Sequence, residues 1–276
     1  MNLDRELLRR ARQSALHFAR LAGDELLRRR ADAVSTVEAK AVPRELVTAA
    51  DRAAEELIVK GLIAEFPDHG ILAEEGVVTG KGEIHEVSDW TWIIDPLDGT
   101  TNYVHGLPFY AVAIALAYHG RPVVGVVHAP ALGETFVAVQ GEGAARLRGV
   151  ERESIAVSAT GELGAALLAT GFAYLRNEPG RDDNSGRLAR VLPLCRDLRR
   201  LGSAELDLCY TAAGVYDGYW ELYLQPYDVA AGALIVREAG GRVTDLGGGD
   251  DWLYGGKVLA TNGLLHDALL SVVGDR

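Results

Sequence analysis

The sequence has few of the features that mark secreted, membrane-spanning or zinc-binding proteins. Its 276 residues include only two cysteines, Cys195 and Cys209, in no metal-like spacing. We therefore expect no disulfide framework. Reduced thiols, as in a cytoplasmic protein, are the expectation. No apolar run reaches the roughly 18 residues needed to cross a bilayer. The N-terminal stretch mixes acids with its arginines and lacks an apolar centre, so we expect neither a signal peptide nor a transit peptide.

Positive charge is also scarce. The 39 acidic residues outnumber the 28 basic ones, which gives a net charge of −11. Such a surface repels nucleic acids and anionic membranes unless its basic residues are segregated, so we expect direct contact with neither. If the substrate is a phosphate, the site must bring its own positive charge. A bound metal ion is the simplest source.

The stretch from Trp90 to Leu107 holds the densest set of candidate functional residues. An apolar run ending at Ile94 predicts a buried strand, and Asp95-Pro96-Leu97-Asp98-Gly99-Thr100-Thr101 follows at once. Two carboxylates thus sit three residues apart on a bend at the end of a strand. The hydroxyls and backbone N–H groups of Thr100 and Thr101 come where the next element begins. This combination suits Mg²⁺ and a phosphate together.

A simpler interpretation of the same bend is an Asx turn followed by a helix cap, which one aspartate would satisfy. Taken alone, the bend leaves both interpretations open, because Asp-Gly turns are common.

Three further acids lie at the ends of predicted elements. Glu74 follows the short apolar strand 71–73, and Asp228 lies near the start of the predicted helix VAAGALIVREAGG. Asp51 falls in the first turn of a second helix, predicted over 46–66. For Asp228 the alternative is a capping acid, which is what first-turn acids usually are. Glu74, Asp95, Asp98 and Asp228 together offer four carboxylates without a matching His or Cys, a set that selects Mg²⁺ or Mn²⁺ over Zn²⁺.

The periodicity of the chain indicates a mixed α/β fold. An amphipathic helix opens the chain, and Val- and Ala-rich runs from Tyr110 to Ala145 predict an antiparallel meander. Helices and strands alternate in the second half. We place a lobe boundary near residue 150, within a predicted loop over 141–153. Residues 1–150 then form an α+β lobe with most of the candidate ligands, and 151–276 form an α/β lobe that supplies Asp228. Residues 76–89 are expected to form a mobile flap.

Five segments resemble the inositol monophosphatase family, within the lithium-sensitive, Mg²⁺-dependent phosphatase superfamily. Their order and spacing match the family over nearly the whole chain. The segments are LVTAAD (46–51), ILAEEG (71–76), WIIDPLDGTTNYVHGLPFYAVAIAL (92–116), GSAELDLCYTAAG (202–214) and PYDVAAGALIVREAGG (226–241). The pairing of DPLDGTTN with a distant YDVAAG is highly specific. The resemblance implies a layered αβαβα sandwich.

The resemblance also implies roles for individual residues. The implied metal ligands are Glu74, Asp95, the carbonyl of Leu97, Asp98 and Asp228, for two or three Mg²⁺ ions, with Mn²⁺ possible. Thr100 and Glu74 would position and deprotonate the attacking water, with Asp51 holding Thr100. The phosphate would be cradled by Gly99, Thr100 and Thr101. Gly202, Ser203, Ala204 and Glu221 would face the alcohol. A homodimer and inhibition by Li⁺ are implied as well.

The expected reaction is hydrolysis of inositol monophosphate or a related sugar or polyol phosphate. Glu205 departs from the family, in which a small or neutral residue often stands at this position. An acid beside the alcohol pocket could accept hydrogen bonds from hydroxyls or repel a second phosphate. Fructose-1,6-bisphosphatase, histidinol phosphatase and 3′-phosphoadenosine nucleotide phosphatase activities are therefore alternatives. A different class is a regulatory module that binds a protein partner on the same fold.

Overall fold

The computed structural model describes residues 3–30, 38–39, 46–76, 88–173 and 180–275. The expected flap therefore lies almost wholly outside the described residues. In the first half of the chain the elements are α1 (Arg5–Arg29), β1 (Glu38–Ala39), β2 (Leu46–Val47), α2 (Ala49–Glu65), β3 (Gly70–Ala73), β4 (Trp90–Asp98), α3 (Thr100–Val104), β5 (Ala111–Tyr118), β6 (Arg121–Ala129), β7 (Glu134–Val139), β8 (Ala144–Arg148) and β9 (Glu151–Ile155).

The second half contributes the remaining elements. They are β10 (Leu167–Thr170), α4 (Ser185–Val191), β11 (Asp197–Arg199), α5 (Ala204–Ala212), β12 (Gly218–Leu222), α6 (Ala230–Glu238), β13 (Arg242–Thr244), β14 (Lys257–Thr261) and α7 (His266–Val273). Short 3₁₀ turns cover Leu163–Ala165 and Pro226–Asp228. No helix within the described ranges is both long and apolar enough to cross a membrane.

The second helix begins later than its sequence pattern predicts. Residues 46–47 form β2, which pairs with β1, and α2 starts at Ala49. Thr48 is the reason, because its hydroxyl oxygen accepts a hydrogen bond from the N–H of Ala50 at 3.1 Å and so caps the helix. Asp51 becomes the third residue of α2, where it completes the capping box by accepting from the backbone N–H of Thr48 at 2.8 Å.

The larger sheet has seven strands in the order β3-β4-β5-β6-β7-β8-β9. Among the strands that the structure describes in this sheet, only β3 and β4 pair in parallel, and the meander predicted from residue 110 onwards is confirmed. The loop predicted over 141–153 is wrong, because β8 and β9 form a hairpin there. Its cross-strand pairs include Arg146 with Glu153, 2.7 Å apart. Opposite charges on facing positions stabilise this exposed hairpin, so it lacks the apolar alternation that predicts a strand.

The division of the chain into two lobes stays a proposal. Residue 150 lies in the turn between β8 and β9, and both of these strands belong to the larger sheet. The change from one sheet to the other therefore comes after Ile155 and not at residue 150.

The smaller sheet has five strands in the order β11-β10-β12-β14-β13. Strand β10 is parallel to both of its neighbours, whereas β14 is antiparallel to both of its own. The parallel pairing of β10 and β12 brings the C-terminal ends of both strands to one edge of the sheet, where Glu221 lies near the end of β12.

The elements stack in five layers, which confirms the αβαβα sandwich. Helices α1 and α2 pack on the outer face of the larger sheet, α5 and α6 lie between the two sheets, and α7 with α4 covers the smaller sheet. Strand β5 shows the physical basis, since its alternate residues face different helical layers. Ala111, Ala113 and Ala115 belong to the core around α5 and α6, and Val112 and Ile114 to the core around α1 and α2.

Candidate active site

One cavity of about 210 Å³ brings together ten residues that the sequence singles out. It opens where β3 and β4 end, opposite the start of α5 and the turn that precedes α6. The ten residues are Glu74, Asp95, Leu97, Asp98, Gly99, Thr100, Gly202, Ala204, Glu221 and Asp228. Residues from both halves of the chain line this cavity. The predicted cluster of Glu74, Asp95, Asp98 and Asp228 requires such a shared cavity.

Parallel pairing of β3 and β4 explains why Glu74 and Asp95 are neighbours. Ala73, the last residue of β3, lies opposite Ile94 of β4. The N–H of Glu74 then donates to the carbonyl of Ile94 at 3.3 Å. Glu74 and Asp95 therefore follow paired residues of the two strands, and both line the cavity.

A bulge in β4 explains how Asp95 and Asp98 reach the same cavity. Residues alternate between the two faces of a strand, so side chains three positions apart normally point to opposite faces. The register against β5 shifts here, because Asp95 pairs with Ala113 and Asp98 pairs with Ala111. One extra residue on β4 turns Asp98 to the side of Asp95. The expectation that the strand ends before Asp95 is wrong, since the strand continues through this bulge to Asp98.

Asp98 is held by donors from the first turn of α5. Its Oδ2 accepts from the hydroxyl of Ser203 at 2.5 Å and from the N–H of Glu205 at 2.9 Å, and its Oδ1 accepts from the N–H of Ala204 at 3.1 Å. Burial raises the pKa of Asp98 to about 6, and these three donors oppose that rise. The arrangement stabilises the charged carboxylate and fixes its direction.

Asp95 receives much less compensation. Its Oδ1 accepts from the N–H of Leu97 at 2.9 Å, and its carboxyl group is hydrogen-bonded to that of Glu74. Burial raises its pKa well above the usual value, and the nearby charges of Glu74, Asp98 and Asp228 raise it further. Burial and these neighbouring charges therefore oppose the ionisation of Asp95 as long as no cation is bound.

Asp228 caps a turn and also lines the cavity. It ends the 3₁₀ turn Pro226–Asp228 instead of lying in the first turn of α6. Its Oδ2 accepts from the N–H of Gln225 at 2.6 Å, so it does cap a turn, and the same side chain lines the cavity. Burial and the charge of Glu74 raise its pKa well above the usual value.

Asp51 lies behind Thr100, outside the cavity wall. The hydroxyl of Thr100 lies 3.2 Å from Oδ1 of Asp51 and 3.1 Å from the carbonyl oxygen of Leu97, both of which can accept its proton. Asp51 also accepts from the hydroxyl of Thr48 at 2.5 Å. Asp51 is fully buried, which raises its pKa, while the two donors of Thr48 lower it. Because its proton is directed to these acceptors, Thr100 presents an oxygen lone pair towards the cavity.

Gly99 permits the close approach of β4, α3 and the start of α5. Its φ of +88° lies in the left-handed region that favours glycine. A Cβ at this position would lie 2.9 Å from the carbonyl oxygen of Phe109 and 3.2 Å from that of Gly202. Any other residue would therefore push apart the segments that meet here.

Three residues lie elsewhere than expected. Ser203 is fully buried and directed at Asp98, so it does not face the alcohol pocket. Glu205 does not line the cavity either: it is fully buried, and its carboxylate points away, to the start of α6. Thr101 is the second residue of α3 and is not part of the described cavity wall. The first turn of α5 packs against Asp98 on one side and α6 on the other, which leaves Gly202 and Ala204 facing the cavity.

Sequence reasoning missed several cavity residues. Arg200 is the one basic side chain in the wall as far as the structure describes it, and Phe172, Tyr223 and Tyr227 add aromatic surface. Arg200, Tyr223 and Tyr227 each lie within two positions of an assigned residue, and that proximity could have revealed them. Tyr223 also has a φ of +63°, which is unusual for a residue other than glycine, and no sequence pattern signals this conformation.

Glu221, near the end of β12, also lines the cavity. The hydroxyl of Tyr219 donates to Oε2 of Glu221 at 2.6 Å, which fixes the carboxylate. Burial raises the pKa of Glu221 to about 7, and that hydrogen bond and the positive charge of Arg200 lower it. A carboxylate beside a guanidinium can bind hydroxyl groups of a ligand by both accepting and donating.

The donor set matches magnesium in its chemistry. It consists of carboxylate and carbonyl oxygens, the ligands that Mg²⁺ prefers, and the mutual repulsion of the carboxylates is what a bound cation would relieve. Within the described ranges, no three His, Cys, Asp or Glu side chains already converge as closely as metal ligands do. An ion would therefore have to draw these side chains inwards. Glu74, Asp95, Asp98 and Asp228 are the side chains that could hold it.

Comparison with known proteins identifies the family. The model of the inositol monophosphatase family matches residues 8–275. The chain belongs to the inositol monophosphatase family. Its relatives include Nus factor SuhB of Pseudomonas aeruginosa, 44% identical over 263 residues that cover 94% of each chain. Inositol monophosphatase 2 of Solanum lycopersicum is 42% identical over 262 residues, which cover 95% of this chain and 97% of the relative.

A solved structure shares the fold along almost the whole chain. The inositol monophosphatase from Anabaena superimposes with a TM-score of 0.84 at 39% identity, covering 96% of this chain and 95% of its own. Family membership supports a phosphatase at the level of the family. The relatives of similar identity carry two kinds of name, an inositol monophosphatase and a Nus factor.

Proposed function

We propose that the chain is a Mg²⁺-dependent phosphate monoester hydrolase that releases inorganic phosphate from inositol monophosphate or a related sugar or polyol phosphate. The observation that carries the proposal is the convergence of Glu74, Asp95, Asp98 and Asp228 on one cavity. Without a cation these clustered carboxylates, of which Asp95 and Asp98 are buried, repel one another, and that repulsion costs stability. A binding site for divalent cations accounts for this arrangement.

We expect two or three Mg²⁺ ions in the site, and Mn²⁺ suits the same ligands. Bound Mg²⁺ would offset the negative charge of the phosphate and lower the pKa of a water molecule. Glu74, Asp95, the carbonyl of Leu97, Asp98 and Asp228 would hold it. The carbonyl of Leu97 already accepts from Thr100, but a carbonyl oxygen has a second lone pair.

Thr100 and Glu74 would orient and deprotonate the attacking water. The proton of the Thr100 hydroxyl is directed to Asp51 and Leu97, so its oxygen is free to accept a hydrogen bond from that water. Glu74 lies at the same wall of the cavity and can take the second proton. No thiol or imidazole lines the described wall, and direct attack by water, without a covalent phosphoenzyme, is the expected route.

The phosphate and the alcohol would bind on opposite sides of the cavity. Gly99, Thr100 and Thr101 offer backbone N–H groups at the start of α3, which suit the phosphate oxygens. Gly202, Ala204 and Glu221 also line the cavity, and Glu221 would accept hydrogen bonds from hydroxyls of the alcohol. Arg200 adds a positive charge beside Glu221, which favours an oxygen-rich alcohol.

A substrate comparison tests the proposal. Phosphate release is measured with Mg²⁺ from inositol 1-phosphate, fructose 1,6-bisphosphate, histidinol phosphate and 3′-phosphoadenosine 5′-phosphate. We expect the highest kcat/KM for the inositol or sugar substrate. No Mg²⁺-dependent release above background from any of them would contradict the proposal. Li⁺ inhibition is a secondary expectation, and insensitivity would count only against a weakly held metal position.

A second candidate function comes from the names of several relatives. Nus factor SuhB of Pseudomonas aeruginosa has this name at 44% identity, and the name points to a role in transcription. We propose as the alternative that the fold serves as a regulatory module that binds a protein partner. The net charge of −11 disfavours direct contact with nucleic acid. Loss of phosphate release in an Asp95→Asn variant that keeps the cellular function would favour this alternative.

A further inference from the structure

Glu205 belongs to α5 but makes its side-chain hydrogen bonds with α6. Its Oε1 accepts from the N–H of Ala231 at 3.2 Å, and its Oε2 accepts from the N–H of Gly232 at 2.5 Å. These are N–H groups of the first turn of α6, which have no partner within their own helix. The carboxylate is fully buried, so it replaces water as their acceptor.

The backbone of the same residue binds a candidate metal ligand. The N–H of Glu205 donates to Oδ2 of Asp98 at 2.9 Å. On the other side, the first turn of α6 begins directly after the turn that carries Asp228. Glu205 therefore connects Asp98, through its own backbone, with the segment that positions Asp228, through its side chain.

The contact between the two helices is close and leaves little freedom. A Cβ on Gly232 would lie 2.6 Å from Oε2 of Glu205 and 2.6 Å from Cβ of Leu208. Glycine at 232 thus allows the carboxylate to reach the backbone of α6. Both the reach of Glu205 and the missing side chain at 232 are needed for this arrangement.

We propose that Glu205 is a positioning residue that holds the turn carrying Asp228 at a fixed distance from Asp98, and so sets the geometry of the divalent-cation site. The inference deepens the proposed function and depends on it for the identity of the cation. Glu205 does not line the cavity, so it acts through Asp98 and Asp228 and not by contact with the substrate.

Two explanations for the effect of Glu205 on a cation can be separated. A negative charge near the site would attract Mg²⁺ wherever its hydrogen bonds point, whereas a positioning role needs both the reach and the acceptors. Glu205→Asp keeps the charge but is one methylene shorter, which takes the carboxylate out of reach of Gly232. Glu205→Gln keeps the length and one acceptor oxygen but loses the charge.

The readout is the Mg²⁺ concentration at the midpoint of stabilisation in thermal unfolding, followed without substrate. For Glu205→Asp we expect the midpoint to rise by about 10–100-fold, the size typical of residues that orient metal ligands. The Mg²⁺ midpoint of Glu205→Gln is expected to lie between those of the wild type and Glu205→Asp, because the glutamine can still accept one of the two hydrogen bonds. Glu205→Gln also keeps the side-chain volume and is expected to fold.

Asp207→Asn is the matched control. Asp207 is a buried acid in the same first turn of α5, and it neither lines the cavity nor accepts from α6. We expect this variant to keep a Mg²⁺ midpoint within about 3-fold of the wild type, since it loses a charge of the same kind without loss of a contact to α6.

Either of two results would overturn the inference. The Mg²⁺ midpoint of Glu205→Asp could equal that of the wild type, or it could lie closer to the wild-type midpoint than the midpoint of Glu205→Gln does. A lower melting temperature in the absence of Mg²⁺ with an unchanged midpoint would also overturn it, because the role would then be structural. If the wild type itself shows no Mg²⁺-dependent stabilisation, the proposed function fails, and this outcome is distinct from both.

Discussion

The two sides of the carboxylate cluster differ in what compensates their charge. Asp98 accepts three hydrogen bonds from Ser203, Ala204 and Glu205, all at the start of one helix. Asp95 accepts one from Leu97, and its other close partner is another acid, Glu74. Both are buried, so the difference lies in the donors around them and not in their exposure to solvent.

This difference indicates that the two sides of the cluster depend on a bound cation to different degrees. The Asp98 side is fixed before any cation arrives, because backbone N–H groups and a hydroxyl hold the carboxylate in one orientation. The Asp95 side is left under-compensated, and the charge of a cation is what would complete it. In a site of this kind Asp98 is held in place without metal, whereas a bound ion would draw the other carboxylates inwards. The predictions below test that contrast.

The largest expected effect comes from removal of the under-compensated charge. Asp95→Asn should lower Mg²⁺-dependent phosphate release by roughly a thousand-fold or more, since the proposed metal site loses one of its charged ligands. The metal-free variant should melt at a higher temperature than the wild type, because one of several repelling carboxylates is gone. Asp89→Asn, an exposed acid just before β4, is the control. Near-normal turnover of pure Asp95→Asn would contradict the assignment.

The stability of the metal-free protein should depend on pH through Asp98. Its pKa rises from 3.8 to about 6 in the folded chain, so the folded state binds this proton more tightly than the unfolded state. Stability is therefore expected to fall as pH rises from about 4 to 6, by on the order of 3 kcal/mol from Asp98 alone. The raised pKa values of Glu221, Asp95 and Asp228 should extend the fall above pH 6. Urea unfolding in a chelator measures it. Saturating Mg²⁺ should reduce the fall, and a rise over this range would contradict the account.

Loss of the Thr100 hydroxyl should affect catalysis more than cation binding. Thr100→Val removes the group that is held by Asp51 and Leu97, and we expect kcat to fall by about a hundred-fold. The Mg²⁺ midpoint in thermal unfolding should change little. Thr100→Ser keeps the hydroxyl and should keep most of the activity. Equal loss in both variants would mean that packing, and not the hydroxyl, is what the site requires.

The smallest expected effect tests the hydrogen bonds that hold Asp98. Ser203→Ala removes the hydroxyl that donates to Asp98 and caps α5 by accepting from the N–H of Leu206 at 3.4 Å. The free energy of unfolding should fall by about 1–2 kcal/mol. Ser203→Thr is the control, because it keeps the hydroxyl. A loss as large in Ser203→Thr as in Ser203→Ala would show that the hydrogen bond is not the cause.

The sequence predicted the layered fold and the members of the carboxylate cluster more fully than their surroundings. Acids that follow short apolar runs predicted that Glu74 and Asp95 lie at strand ends. Glu74 does follow the end of β3, whereas Asp95 lies inside β4, which continues to Asp98. The bulge that turns Asp98 towards Asp95 could not be predicted, because it depends on the register against β5. Spacing alone would have placed the two acids on opposite faces.

The roles of Ser203 and Glu205 were missed for a similar reason. Both stand at the start of α5, and which of the neighbouring side chains faces the cavity depends on how α5 packs against Asp98 and α6. The β8–β9 hairpin was missed because charged pairs such as Arg146 with Glu153 replace apolar alternation. In each case a contact between segments far apart in the chain decides the outcome, and local patterns do not encode it.

The most direct test of the central claim is an anomalous difference map from crystals grown with Mn²⁺ and inorganic phosphate. The account predicts strong peaks inside the cavity, at least one of them within about 2–2.5 Å of a carboxylate oxygen of Asp95, and a phosphate beside Thr100. A saturated crystal with no Mn²⁺ peak among Glu74, Asp95, Asp98 and Asp228 would contradict it.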